Sequence, residues 1–237
     1  MLYYVDRSYE QKIKEFVPKI PNATMQGENE TIERICLCPT IEDCIYAASW
    51  GHSNISYRNI NEVFRVYEFD ENDICKKNII NSDELWSKQL VPDAYITNEI
   101  WVIKQILKPK NIFYIRIGEY FDTKIIPILT KEEFIMEEEG KEIDYSNIYY
   151  WEIVCDLEII KLKEKSLNFS KIIKIPNYIC SNYRIIEDFI AKETFYEVSN
   201  DNEYTYFEFN KPQMFDYELL LQYFENKEGE YYAERVL

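Results

Sequence analysis

The segment RICLCPTIEDCIYA, residues 34–47, constrains the fold more than any other part of this chain. Its first six residues are largely apolar, as in a short strand, and Pro39 ends that strand. Thr40 then precedes apolar residues that recur at helical spacing, which makes it a predicted helix N-cap. The sequence therefore predicts a strand over residues 33–38 and a helix over residues 41–48, joined by Pro39 and Thr40.

Short strands and short helices alternate irregularly along the rest of the chain. Strands are predicted over residues 2–5, 61–70, 98–106, 111–117, 125–129, 149–162 and 203–210. Helices are predicted over residues 7–16, 131–139, 182–198 and 216–226, with a short helix or turn over residues 81–90. The regular strand–helix–strand spacing of a doubly wound sheet is missing, so the pattern indicates an α+β fold.

Charge divides the chain into two unequal regions. The whole chain has 43 acidic and 27 basic side chains, a net charge of −16. Residues 1–120 carry −4 of this charge and residues 121–237 carry −12. Such a surplus argues against direct binding of nucleic acid and favours a host protein with a basic surface as the partner. An acidic region with more exposed helix is the alternative explanation for residues 121–237.

The sequence also bears on location and on metals. No apolar run approaches the ~20 residues that span a bilayer, and acidic residues come early in the chain, at Asp6 and Glu10. We therefore expect a cytoplasmic protein with no membrane partner. Cys36 and Cys38 lie in an apolar run without the second close pair of a structural zinc site. They are predicted to be buried thiols, and no metal is expected.

Conventional catalytic motifs are absent from the sequence. It contains no P-loop, no glycine-rich dinucleotide fingerprint and no metalloprotease motif. A nucleophile–histidine pair would have to use His52, the only histidine, which follows Trp50 and Gly51 in a predicted loop. A lone histidine in a loop is more often a surface residue than a catalytic one, so these patterns name no enzyme class.

Three short motifs in the first half follow one another in an order that is typical of a known fold. They are the Leu-Tyr-Tyr strand at residues 2–4, the strand–Pro–Thr–helix joint, and Glu-Ile-Trp-Val at residues 99–102. The series resembles the ADP-ribosyltransferase-like fold, in particular small phage and prophage proteins of that type. The resemblance covers about residues 1–117. It implies a mixed sheet of that fold in residues 1–120 and NAD as the cofactor, and it says nothing about the remainder. Charge and pattern alone predict an additional acidic α+β region in residues 121–237.

The resemblance also implies roles for individual residues. Transfer of ADP-ribose breaks the glycosidic bond to nicotinamide through an oxocarbenium-like sugar, and Glu99 is the implied carboxylate that orients the ribose. The resembling proteins carry histidine at the position of Tyr4, the second implied catalytic residue, and tyrosine reaches further. Tyr3, Thr40 and Arg7 are the implied NAD-binding residues. Helix capping by Thr40 and a core position for Tyr4 are the structural alternatives.

Acidic and aromatic residues alternate along residues 203–210, EYTYFEFN, which is the clearest strand pattern in the chain. Rings and carboxylates on one sheet face can engage a groove lined by arginine and lysine through stacking and charge. The candidate partner-binding residues are therefore Glu203, Tyr204, Tyr206 and Glu208. The alternative explanation for the 21 tyrosines is an AT-rich genome, which enriches tyrosine without any functional cause.

Two functions from different classes follow from these observations. The first is a phage-type ADP-ribosyltransferase-like protein that modifies or blocks a host macromolecule. The second is a non-catalytic acidic inhibitor, such as an anti-CRISPR or other anti-defence protein, that occupies the nucleic-acid-binding groove of a host defence protein. A protein that binds a small nucleotide without transfer chemistry is a third alternative.

Overall fold

The structure is a computed structural model that describes residues 1–6, 12–22, 24, 27–47, 63–117, 122–155, 157–162, 167–177 and 195–216. The described strands are β1 (Leu2–Asp6), β2 (Ile35–Leu37), β3 (Val63–Phe69), β4 (Ile79–Ile80), β5 (Ile100–Val102), β6 (Asn111–Ile117), β7 (Asp122–Pro127), β8 (Tyr150–Cys155), β9 (Ile159–Leu162), β10 (Leu167–Pro176), β11 (Phe195–Asn200) and β12 (Tyr204–Asp216). The described helices are α1 (Ile41–Ala47), α2 (Ser82–Ser87), α3 (Ala94–Thr97) and α4 (Lys131–Glu138). Helices and antiparallel sheets therefore occur together, and the predicted α+β class is confirmed.

The predicted strand–proline–helix joint is present in the structure. β2 precedes Pro39, and α1 begins directly after Thr40. The Thr40 Oγ1 accepts a hydrogen bond from the backbone N–H of Asp43 at 3.0 Å, which is the bond expected of an N-cap. Cys44 and Ile45 of α1 are buried in the core. The short segment therefore folds as its sequence predicts, because the cap and the apolar face of the helix agree.

A four-stranded antiparallel sheet in the order β1-β3-β6-β9 forms the centre of the fold. β3, VFRVYEF, is buried at every position but one, so both of its faces are covered. Phe64 and Val66 belong to a core cluster that includes Ile45 of α1. Tyr67 and Phe69 belong to a second core cluster. The sheet thus separates two cores. Because each face of β3 packs against one of them, β3 carries apolar residues on both faces and alternates only imperfectly.

A smaller sheet in the order β2-β5-β4 adjoins the central sheet. Tyr3 of β1 donates to the carbonyl of Cys38 at 2.8 Å, and Cys38 donates back to the carbonyl of Tyr3 at 3.1 Å. β1, β2 and β5 are consequently hydrogen-bonded neighbours in that order. β5 is shorter than predicted because Asn98 and Lys104, on either side of it, have φ values of 51° and 56°. This left-handed backbone cannot continue a strand.

The β7–β8 hairpin, with α4 between its strands, packs against α2 and α3. The indole Nε1 of Trp86 donates to the carbonyl of Leu129 at 2.9 Å, and the hydroxyl of Tyr95 donates to the carbonyl of Pro127 at 2.6 Å. α4 confirms the helix predicted over residues 131–139. Thr130 begins it with a capping box that uses Glu133.

Sheet pairing crosses the predicted boundary near residue 120. β9 pairs antiparallel with β6, from Tyr114 opposite Leu162 to Ile117 opposite Ile159. The central sheet therefore contains a strand from the acidic second region. The division into residues 1–120 and 121–237 stays a prediction, but any such division must cut a shared sheet.

A third sheet, in the order β10-β12-β11, contains the strongest predicted strand. β12 begins at Tyr204, as the alternating pattern predicts, and extends to Asp216. Thr205, Phe207 and Phe209 are buried, so alternate residues of β12 face inward. Bulges interrupt both pairings of β12, one after Ser170 and one after Glu197.

Two helix predictions are wrong over the residues that the structure describes. Residues 195–198 belong to β11, not to the helix predicted over residues 182–198, because β11 pairs with β12 along this stretch. Residues 12–16 are not helical, since the N–H of Ile13 donates to the Tyr67 hydroxyl at 3.0 Å and Phe16 pairs with Leu107. The helical spacing of Ile13 and Phe16 instead reflects an extended segment whose apolar side chains pack on the central sheet.

Other boundaries also differ from the prediction. The strand expected over residues 149–162 is two strands, β8 and β9, that pair with different partners. Asp216 ends β12, and the rest of the helix predicted over residues 216–226 lies outside the described residues. All pairs between described strands are antiparallel, whereas a mixed sheet was expected. In the described part of the chain, no helix is long and apolar enough to cross a bilayer.

Candidate functional site

Alternation along β2 and β5 gathers polar and aromatic side chains on one sheet face. Cys36 lies opposite Trp101 in the register of the two strands. Arg34 lies two residues before Cys36 and Glu99 lies two residues before Trp101, so all four share that face. With two acidic neighbours they form the Glu99 cluster, which consists of Glu28, Arg34, Cys36, Asp93, Glu99 and Trp101.

Glu99 is held inside this cluster. Its side chain is 7% exposed, and its Oε1 accepts a hydrogen bond from the Trp101 indole N–H at 2.7 Å. The Cys36 thiol also hydrogen-bonds to the carboxylate. Burial nevertheless raises the pKa of Glu99 above its ordinary value, because desolvation outweighs these two bonds. The carboxylate implied to be catalytic is therefore a bonded group of the protein interior in this structure.

Arg34 crosses the cluster and neutralises part of its negative charge. It forms an ion pair with Glu28, and its Nη1 donates to the carbonyls of Asn29 at 2.8 Å and Ile32 at 2.9 Å. Its guanidinium lies 3.9 Å from the centre of the Trp101 ring. Among the described residues, its Nε has no hydrogen-bond acceptor. Arg34 thus fixes both the loop before β2 and the indole that holds Glu99.

Asp93 is the most strongly perturbed carboxyl group of the cluster. It is 5% exposed, and although it is the N-cap of α3 its side chain makes no capping hydrogen bond. Burial, aided by the negative charges of Glu99 and Glu28, raises its pKa to about 7. This carboxyl therefore exchanges its proton near neutral pH, the property required of a general acid or base.

Thr40 is engaged at the edge of the cluster. Its Oγ1 donates to the Asp43 Oδ2 at 2.6 Å, in addition to accepting the capping bond from the same residue. The Asn98 Nδ2 donates to the other carboxylate oxygen of Asp43 at 3.0 Å. Thr40 is therefore linked through Asp43 and Asn98 to the residue that precedes β5, Glu99.

Tyr3 and Tyr4 point to opposite faces of β1. The ring of Tyr4 packs edge-on against Phe16 at 5.1 Å and lies 6.1 Å from the ring of Tyr67. Burial raises the pKa of Tyr4 to about 12. Tyr3 packs instead against the core cluster beneath α1. Tyr4 therefore occupies a core position, and the NAD-binding prediction for Arg7 lies outside the described residues.

The strands that carry the implied site are neighbours, but their side chains diverge. Thr40 and Glu99 are joined through the bridge of Asp43 and Asn98, whereas Tyr4 turns into the aromatic core. Sequence reasoning missed the roles of Arg34 and Asp93 in the cluster. The signal for Arg34 was its period-two spacing with Cys36, whereas only the tertiary fold brings Asp93 to the cluster.

The four predicted partner-binding residues lie together at the surface of the third sheet. Tyr204, Tyr206 and Glu208 alternate with the buried residues of β12 and occupy its outer face, and Glu203 is exposed at the preceding turn. We call Glu203, Tyr204, Tyr206 and Glu208 the β12 outer face. The register places Lys174 of β10 opposite Tyr206. The Lys174 Nζ lies 4.6 Å from the centre of the Tyr204 ring.

Asp201 orders the turn that leads into this face. Its Oδ1 accepts the backbone N–H groups of Glu203 at 2.8 Å and Tyr204 at 2.7 Å, and its Oδ2 accepts the Tyr206 hydroxyl at 3.0 Å. These bonds lower the pKa of Asp201, because they favour its charged form. Nearby, Ile172 and Val198 are 46% and 42% exposed. Exposed apolar side chains of β10 and β11 thus lie near the rings and acids of the β12 outer face.

No protein family, curated protein or solved structure matches this chain in comparisons of sequence and fold. Within the described ranges, no three His, Cys, Asp or Glu side chains are grouped so as to hold a metal ion. The geometry of the Glu99 cluster and of the β12 outer face therefore carries the functional argument.

Proposed function

We propose that the protein is an acidic binding protein that occupies the basic, nucleic-acid-binding groove of a partner protein. The observation that carries this proposal is the grouping of Tyr204, Tyr206 and Glu208 on one sheet face, with Glu203 exposed beside them. Tyrosine is favoured at recognition surfaces because a rigid ring buries area while its hydroxyl keeps a polar contact. Carboxylates beside the rings complement arginine and lysine.

The charge of the whole chain supports the same function. A net charge of −16 attracts a basic surface over a distance and repels the phosphates with which the protein would compete. The excess is concentrated in residues 121–237, which include the β12 outer face. Binding should therefore be fast at low ionic strength and should weaken as salt screens the charges.

A competition experiment tests this function. The probe is a fluorescent single-stranded DNA bound to an arginine-rich peptide, and the protein is expected to release the DNA. A double charge reversal, Glu203→Lys with Glu208→Lys, should abolish release, because it turns two attractive contacts into repulsive ones. The matched control, Asp73→Lys with Asp83→Lys, makes the same change of charge at exposed residues outside this face. Equal loss in both double variants, or no loss in either, would contradict the proposal.

NAD-dependent transfer is the second candidate, and one observation favours it. β1, β2 and β5, which carry the three stretches that resemble the ADP-ribosyltransferase-like fold, are hydrogen-bonded neighbours. Asp93, with its pKa raised to about 7, adds a group able to exchange a proton beside Glu99. A ribose would reach Glu99 only after that buried side chain is uncovered, so the binding function is the better supported of the two.

Titration with NAD separates the two functions. For a transferase, we expect NAD to raise the melting temperature of the wild type, since a ligand that binds the folded state stabilises it. Glu99→Gln keeps the shape and an acceptor for the indole of Trp101, so it should fold but transfer no ADP-ribose. No stabilisation by NAD and no release of nicotinamide from it would exclude the second candidate.

A further inference from the structure

A lysine of the protein itself already occupies a cation position on the β12 outer face. The Nζ of Lys174 lies 4.6 Å from the centre of the Tyr204 ring, within the range of a cation–π contact. Lys174 of β10 is exposed and lies opposite Tyr206 of the neighbouring strand β12. Its side chain therefore reaches Tyr204 diagonally, two residues from its direct partner. The ring of Tyr204 is thus placed to accept a positive charge from above the sheet.

The surroundings of this position are negative as well as aromatic. Asp201, at the turn, is close enough for the charge of Lys174 to help lower its pKa. Glu208 lies on the same face, opposite Ile172 of β10. A cation over Tyr204 is therefore stabilised by the ring and by the negative charge of Asp201.

Arginine suits this position better than the lysine that occupies it. The planar guanidinium stacks on a ring and donates several hydrogen bonds at once, whereas the ammonium group acts as a strongly hydrated point charge. An exposed cation–π contact is worth about 0.5–1 kcal/mol, so the ring itself holds Lys174 only weakly. An incoming guanidinium therefore gains a stacked contact with the ring together with the attraction of the Asp201 charge.

We infer that Lys174 holds, in the free protein, the place over Tyr204 that an arginine side chain of the partner takes in the complex. This inference rests on the proposed binding function and names the contact that it uses. Lys174 then acts as a built-in competitor, because it fills the position and repels an incoming cation. Replacing Lys174 by an uncharged residue should therefore strengthen binding of the partner's arginine, whereas replacing an acidic residue of the same face should weaken it.

The experiment titrates nona-arginine peptide into the wild type and into Lys174→Ala by calorimetry. Removing the competitor should tighten binding about 2- to 5-fold, the equivalent of one exposed cation–π contact. Lys161→Ala is the matched control, because the Lys161 Nζ lies 4.1 Å from the Phe113 ring on β6. Lys161→Ala removes the same charge and the same kind of contact, but away from the β12 outer face. Its affinity for nona-arginine should therefore change less than the affinity of Lys174→Ala does.

The Tyr204 ring provides the second arm. The gain from Lys174→Ala should persist with Tyr204→Phe, which keeps the ring face, and vanish with Tyr204→Leu, which removes it. A gain that survives Tyr204→Leu, or one equal to that of Lys161→Ala, would be a general effect of charge and would overturn the inference. In those cases the wild type still binds the peptide and the proposed function stands. If the wild type binds no nona-arginine at any salt concentration, both proposals fall.

Discussion

The Glu99 cluster and the β12 outer face use the same pairing of residues in opposite ways. Glu99 and Trp101 are two residues apart on one strand face, as are Tyr206 and Glu208 on another. In the cluster the sheet face is covered, and the carboxylate bonds to its own aromatic neighbour. On β12, within the described part of the chain, Tyr206 and Glu208 lie side by side and are half-exposed. What covers a strand, and not the pattern along it, decides whether such residues are buried inside the fold or partly exposed at its surface.

The largest difference in stability between the two regions is expected when an aromatic residue of each is replaced by alanine. Trp101 is fully buried, so Trp101→Ala should destabilise the protein by about 3–5 kcal/mol, since it leaves a cavity and removes the indole hydrogen bond to Glu99. Tyr206→Ala on the outer face should cost less than about 1 kcal/mol, because little packing is lost. Urea unfolding midpoints measure both. Similar losses in the two variants would show that the outer face is as structural as the cluster.

The pH dependence of stability should distinguish the same two regions. The pKa of Asp93 is raised to about 7 from an ordinary value of 3.8, so between these values the folded state holds a proton that the unfolded state has lost. Stability from this group is therefore complete below the ordinary value and falls as pH rises through about 7, by at most about 1.4 kcal/mol per pH unit.

The variant Asp93→Asn should flatten this slope in urea unfolding measured from about pH 5 to about pH 8. Asp201→Asn is the control, because the pKa of Asp201 is lowered and its contribution is lost only at acidic pH. A wild-type slope that persists unchanged in Asp93→Asn would place the titrating group elsewhere.

Helix capping gives a smaller effect. Thr40→Ala should lower stability by about 1 kcal/mol, because it removes the cap of α1 and a hydrogen bond to the buried carboxylate of Asp43. Thr130→Ala removes a comparable cap from α4, where the surroundings are exposed. We expect thermal unfolding to show the larger loss for Thr40→Ala. The reverse order would mean that α1 depends less on its cap than the geometry indicates.

The smallest expected effect on stability belongs to the outer face. Tyr206→Phe removes one exposed hydrogen bond to Asp201, so stability should change by less than about 0.5 kcal/mol. Release of DNA from the arginine-rich peptide should nevertheless weaken, because the turn before β12 loses a fixed contact. Unchanged release would show that the Tyr206 hydroxyl has no part in binding.

Local signals account for the parts of the fold that sequence predicted correctly. The caps of α1 and α4 are contacts between residues close in sequence, and the alternation of β12 is visible along its own residues. The burial of both faces of β3 was harder to predict, because a strand covered on both faces does not alternate between apolar and polar residues. The helix expected over residues 182–198 failed where β11 pairs with β12, a contact that local spacing does not encode.

The Glu99 cluster likewise could not be predicted from local sequence alone. Nothing in the sequence near Asp93 indicates that Glu28 and Glu99 lie close enough to raise its pKa. Likewise, the position of Tyr4 against Phe16 depends on an extended segment that was predicted to be helical. Tyr204, Tyr206 and Glu208 could be predicted to share one face because β12 carries all three and alternation alone decides where they point, whereas Glu203 lies at the turn before the strand.

The pairing of β6 with β9 has a consequence for how the chain is made. β9 follows the β7–β8 hairpin and α4, so β6 leaves the ribosome well before the strand that covers its edge. Until β9 emerges, the nascent chain presents an unpaired strand edge, which is a template for association with other chains. The strand that covers the edge of β6 is therefore added to the central sheet only once the acidic region has been synthesised.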